Sequence, residues 1–154
     1  MVALNPASPE LVITREFDAP RALVWKAWFD PKHCVHWMGP RGCTVTDISK
    51  DVRPGGKFRV CMRRDENGEI LWHGGVYREV DEPERIVFTF AWEDDDGKPE
   101  NEMLITLTFA EEKGKTKLTL HQTGFRDAEQ RDGHNGGWNS SFDRFVEYLA
   151  NLKA

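Results

Sequence analysis

The sequence predicts an α+β domain: a curved seven-stranded antiparallel sheet around one long C-terminal helix, with two short helices after the first strand. Three observations predict it. The hydrophobic period is two over residues 10–18 and again from 43 to 123, which marks strands. The later strands are separated by short turns rich in Gly, Pro, Asn and Asp, so they pair as a meander. After Gly124 the period turns helical, and Trp138, Phe142, Phe145, Leu149 and Leu152 form one apolar stripe to cover the sheet.

The elements follow in order. Glu10 to Asp18 alternates, with Leu11, Ile13 and Phe17 on one face. Asp18-Ala19-Pro20 opens a helix, since Pro suits its first position and Asp its positive end. Val24, Trp25 and Trp28 form its apolar side, and Pro31 ends it. A second short helix is expected from Lys32 to Trp37, stopping at Gly39-Pro40. Cys43 to Lys50 is a strand, and Pro54-Gly55-Gly56 a turn. In the next strand Phe58, Val60 and Met62 alternate with Arg59, Cys61 and Arg63. Asp65-Glu66-Asn67-Gly68 signals a hairpin. Ile70, Trp72, Gly74, Val76 and Val80 are assigned to one inward face, which leaves His73 on the exposed one. Ile86, Phe88, Phe90 and Trp92 follow, then Met103, Ile105, Leu107 and Phe109, then Leu118 and Leu120.

The chain has 154 residues, about one domain. It is read as a single domain over residues 10–154 behind a flexible leader, 1–9. Lys+Arg 21 against Asp+Glu 26 gives a net charge of −5, which argues against nucleic acid as a partner. No apolar run approaches the roughly 18 residues of a membrane span, so no membrane insertion is expected. The first ten residues lack the basic and apolar regions of a secretory signal. Cys34, Cys43 and Cys61 are odd in number and widely spaced, which suits reduced thiols in a cytoplasm.

Few residues carry a chemical signature. His33, Cys34 and His36 lie close in sequence, but paired metal-ligand spacing is missing, so no metal is expected. Asp94-x-Asp96 fails as a calcium loop because Pro99 stands where Gly is required. Ser140-Ser141 lacks a nucleophile elbow, and no phosphate-cradling Gly motif occurs. No catalytic residue and no cofactor are therefore assigned. Arg78, Gln122 and Ser141 share parity or helix face with apolar residues, whereas His73 and His121 fall on exposed strand faces.

The aromatic content carries the main expectation. Six Trp in so short a chain make a large aromatic core or line a ligand cavity. Trp72, Gly74, Val76, Phe88, Phe90, Trp92, Met103 and Ile105 are expected to line it from the sheet. Trp138, Ser141, Phe142 and Phe145 face them from the helix. Gly133, Gly136 and Gly137 each weaken the helix by about 1 kcal/mol relative to Ala, which suggests close backbone approach or an entrance.

Several stretches resemble the START-like (SRPBCC) helix-grip superfamily, in the branch named for the C-terminal domain of the Hsp90 ATPase activator Aha1. They are Phe17-Asp18-Ala19-Pro20-Arg21 with Val24-Trp25, Trp37-Met38-Gly39-Pro40, Val52-Arg53-Pro54-Gly55-Gly56, and His134-Asn135-Gly136-Gly137-Trp138. The resemblance implies a helix-grip (Bet v 1-like) fold with a cavity between sheet and helix open to small apolar ligands, and the expected function is non-catalytic binding of a small hydrophobic, lipid-like or aromatic ligand there. Alternatives it leaves open are chaperone interaction of the Hsp90 type, with a place in stress response, and a cyclase- or hydrolase-like enzyme in the same cavity. The chain lacks room for the N-terminal domain of the Hsp90-activating members.

Overall fold

A computed structural model describes residues 9–153. The expected leader, apart from Pro9, lies outside the described residues. The elements are β1 (Leu11–Phe17), α1 (Arg21–Phe29), α2 (Pro31–Cys34), β2 (Cys43–Lys50), β3 (Lys57–Arg64), β4 (Ile70–Asp81), β5 (Arg85–Glu93), β6 (Pro99–Glu112), β7 (Lys115–Thr123) and α3 (Ala128–Lys153). The seven strands form one antiparallel sheet in the order β1-β7-β6-β5-β4-β3-β2. Consecutive strands from β2 to β7 pair in turn, and β1 pairs with β7. The sheet curls into a half-barrel around α3, the helix-grip arrangement.

Alternation drives the curl's inner face. Leu11, Ile13 and Phe17 of β1, Phe58, Val60 and Met62 of β3, and Ile86, Phe88 and Phe90 of β5 are all buried. So are Met103 to Phe109 at alternate positions of β6, with Leu118 and Leu120 of β7. Burial of such side chains contributes about 1.5–3 kcal/mol each. α3 meets them with Trp138, Phe142, Phe145 and Leu149. At one end the packing is solid. Trp37 stacks flat on Phe145 at 3.9 Å and donates its indole N–H to the Ala27 carbonyl at 3.0 Å. Phe17 lies 4.9 Å from Phe145, and Trp28 lies 5.8 Å from Phe142.

Some expectations need correction. α2 ends at Cys34, and turn hydrogen bonds from Trp37 and Met38 to the Cys34 carbonyl carry the chain on. Leu152 is 39% exposed, so the buried stripe of α3 ends at Leu149.

The main correction is the face of β4. Trp72, Gly74 and Val76 are on the outer face, and Leu71, His73 and Tyr77 are on the inner one. The register requires it: Met62 opposes Leu71 and Val60 opposes His73. A register shift between Tyr77 and Glu79 is the cause. An extra residue in a strand reverses parity, so Val80 points inward while Trp72 and Val76 do not. His73 is therefore buried, at 4% exposure, and Arg78 is exposed beside Glu102 at 3.6 Å. Outside, the Arg59 guanidinium sits 3.7 Å over the Trp72 ring and is held by Glu93 at 2.7 Å. Gly74 serves close approach instead: a Cβ there would lie 2.6 Å from the Phe58 carbonyl oxygen.

A second shift, between Phe90 and Trp92, falls where β5 meets β6. Asn101, at φ 45°, takes up the extra residue, and Glu100 comes to lie opposite Trp92. Asn101 Nδ2 donates to the Gly124 carbonyl at 3.1 Å and to Gln130 Oε1 at 2.8 Å. These bonds tie the entry to α3 onto the sheet.

Candidate functional site: a cavity under the start of α3

The solid packing stops near Trp138. Between β3–β5 and the first turns of α3 lies a cavity of about 480 Å³. From the sheet come Met62, Leu71, His73, Phe90 and Trp92. From α3 come Gly133, His134, Gly137, Trp138 and Ser141, which recur at the spacing of one helix face. The segment after α2 supplies Met38, Gly39 and Pro40, and Arg64, Glu100, Arg126 and Gln130 add polar groups.

Gly133 and Gly137 create part of this space. A Cβ at either would meet no atom within 4 Å. The glycines of α3 thus mark an opening and not a close helix–sheet approach. The segment after α2 is held in place by α3. Arg144 Nη1 donates to the carbonyls of Gly39 at 2.9 Å, Cys43 at 3.2 Å, Pro40 at 3.3 Å and Met38 at 3.4 Å. The Arg41 backbone N–H donates to Ser140 Oγ at 2.8 Å, and Arg41 pairs with Glu147.

A polar chain runs through the wall. Trp138 Nε1–H donates to Gln122 Oε1 at 2.9 Å, which fixes the amide. The Gln122 amide nitrogen then faces His134 Nδ1 and Met103 Sδ, each at 3.3 Å. Trp92 Nε1–H donates to His134 Nε2 at 3.1 Å. With Nε2 accepting from Trp92, the one proton of the neutral ring sits on Nδ1 beside the Gln122 amide, and a second proton, on Nε2, would oppose the Trp92 N–H as well. Burial pushes the His134 pKa down to about 4.

His73 differs. Its ring stacks on Phe90 at 4.6 Å and meets Trp92 edge-on at 5.0 Å. No group among the described residues hydrogen-bonds it, and Nδ1 is the one buried side-chain nitrogen or oxygen left without a partner among them. Burial above all, with the charge of Lys50 and the His134 ring adding, pushes its pKa down to about 3. The ring also borders a smaller void of about 20 Å³, beside Tyr77, Phe88 and Lys50.

The sequence-predicted site residues divide accordingly. Phe90, Trp92, Trp138 and Ser141 line the cavity. Ser141 turns its hydroxyl back to the Gly137 carbonyl at 2.9 Å. Phe88 borders only the smaller void. Met103, Ile105, Phe142 and Phe145 belong to the solid core. Trp72, Gly74 and Val76 lie on the other face of the sheet. Sequence reasoning missed His73, Leu71, Met62, Met38, His134 and the segment after α2. His134 was within reach, since it lies four residues before Trp138 and seven before Ser141 on the same helix face.

Chemically, the cavity offers apolar surface and neutral imidazoles. Bases with such low pKa values are weak near neutrality, so these rings are suited to hydrogen bonding rather than proton transfer. Of the sequence neighbours, His33 and His36 both meet Tyr148, while Cys34 is buried apart from them. His33 Nδ1 bonds the Tyr148 hydroxyl at 2.6 Å, His36 stacks on Tyr148 at 5.6 Å, and buried Cys34 lies 3.4 Å from Lys50 Nζ. No helix among the described residues is long and apolar enough to cross a membrane.

Known structures share this architecture. The AHSA1 protein from Silicibacter pomeroyi superposes with a TM-score of 0.83 at 26% identity, covering 95% of this chain and 100% of that one. A protein from Chromobacterium violaceum gives 0.79 at 25% identity, covering 90% and 96%. One from Staphylococcus epidermidis gives 0.79 at 26% identity, covering 96% and 92%. Among curated proteins, none matches. The family model described as Activator of Hsp90 ATPase homolog 1-like protein matches residues 18–150, and the chain belongs to that family.

Proposed function

We propose that this protein binds a small, largely apolar ligand without covalent chemistry, in the cavity between β3–β5 and α3. The observation that carries this reading is the cavity itself. Its volume of about 480 Å³ falls within the range of small-molecule sites. Met38, Met62, Leu71, Phe90, Trp92 and Trp138 give it its apolar surface, beside the polar side chains already named. Family membership supports ligand binding or chaperone association in general.

Titration with the uncharged fluorophore N-phenyl-1-naphthylamine tests it. One saturable site per chain is expected, and it should be lost in Gly137→Leu, whose side chain would enter the open space. Absence of saturable binding, or binding unaffected by Gly137→Leu, contradicts the reading. The family's description favours a second reading, association with an Hsp90-type chaperone. Its test is the chaperone's ATPase rate with and without this protein.

A further inference from the structure

We propose that the ligand enters with an uncharged oxygen group, a hydroxyl or carbonyl, that hydrogen-bonds His73 at the inner end of the cavity. This deepens the ligand-binding reading and rests on it. Buried polar side chains in folded proteins are nearly always paired. His73 is 4% exposed and lines the cavity; Nδ1 is fully buried without a partner, and Nε2, the ring nitrogen not sealed off in this way, bonds no group among the described residues and is the one a ligand can reach. By contrast, the neighbouring polar groups are already committed: His134 to Trp92 and Gln122, Gln122 to Trp138, and the Ser141 hydroxyl to Gly137. Of these polar side chains, His73 is the one with no hydrogen-bond partner among the described residues.

The surroundings select the chemistry. Phe58, Phe90 and Trp92 pack around the imidazole, so a carboxylate or ammonium there would lose its water without a counter-charge. Lys50 acts on the His73 ring by its charge but is committed elsewhere. It borders the smaller void and not the cavity, and its Nζ donates to the Trp28 carbonyl at 3.0 Å. The arginines of the cavity, Arg64 and Arg126, are half-exposed beside Glu69 and Asp127, away from the inner wall. A neutral imidazole offers one donor and one acceptor, and a hydroxyl or carbonyl can use one of them.

The test compares naphthalene, 2-naphthol and 2-naphthoate as probes, by quenching of tryptophan fluorescence, on wild type, His73→Phe and His73→Leu. Wild type should bind 2-naphthol about 5–10-fold more tightly than naphthalene, and 2-naphthoate weakest. Both variants should lose the preference, binding 2-naphthol no more tightly than naphthalene, with the ratio within each protein as the readout. If the preference persists in both variants, or 2-naphthoate binds wild type best, the role of His73 is refuted while the ligand-binding reading stands. If no probe binds wild type, the ligand-binding reading falls and this inference falls with it.

Discussion

Replacing His73 by phenylalanine should make the protein more stable. The ring stacks on Phe90 at 4.6 Å, and a phenyl ring fills nearly the same space. The change removes a buried nitrogen that has no partner. Leaving such a group unpaired costs about 1–3 kcal/mol, so the variant should gain an amount of that order near pH 7.5. The gain should grow in acid. The folded ring has its pKa pushed down to about 3, against 6.5 for the ordinary group. Between those values the unfolded chain binds a proton that the folded one does not, so wild-type stability falls as pH falls from 6.5 towards 3. Near pH 5 this penalty is about 2 kcal/mol, and the His73→Phe variant carries none of it. Urea unfolding followed by tryptophan fluorescence near pH 7.5 and pH 5 measures both parts. A variant less stable than wild type at both pH values, with no widening of the gap in acid, would refute the packing and the neutral state assigned to His73.

Other positions give separate tests. Gly133→Ala and Gly136→Ala should each stabilise α3 by about 0.5–1 kcal/mol, because no atom lies within 4 Å of the added methyl; thermal melts check this. Arg144→Met should cost about 2 kcal/mol and raise amide exchange over residues 38–43, because the carbonyls of Met38, Gly39, Pro40 and Cys43 share that guanidinium. Trp72→Ala should leave binding of N-phenyl-1-naphthylamine within twofold of wild type, whereas Trp92→Ala should weaken it at least fivefold. Equal effects of the two would restore the inward face first expected for Trp72.

The fold was legible because period and turn chemistry agree along the chain. Asp18-Ala19-Pro20, the Gly-bearing turns and the stripe Trp138–Phe142–Phe145–Leu149 each specify one local outcome, and together one topology. The site was legible only in part. Phe90, Trp92, Trp138 and Ser141 followed from parity and helix spacing. Parity failed on β4 because it was extended through the bulge at Tyr77–Glu79, and alternation alone does not reveal an extra residue. That one slip exchanged His73 for Trp72. Nor does an apolar stripe tell filled space from open space. Phe142 and Trp138 belong to the same stripe, yet Phe142 meets Phe17 and Trp28, while Trp138 borders the gap beside Gly133 and Gly137.

The central claim, a ligand held between β3–β5 and α3, is tested most directly by following amide and indole N–H signals while 2-naphthol is added to ¹⁵N-labelled protein. The predicted result is a saturable shift of the Trp92 and Trp138 indole signals and of the Gly133, Gly137 and His73 amides, with the Trp72 indole and Val12 unmoved. Shifts confined to the outer sheet face around Trp72, or none at saturating probe, would contradict it.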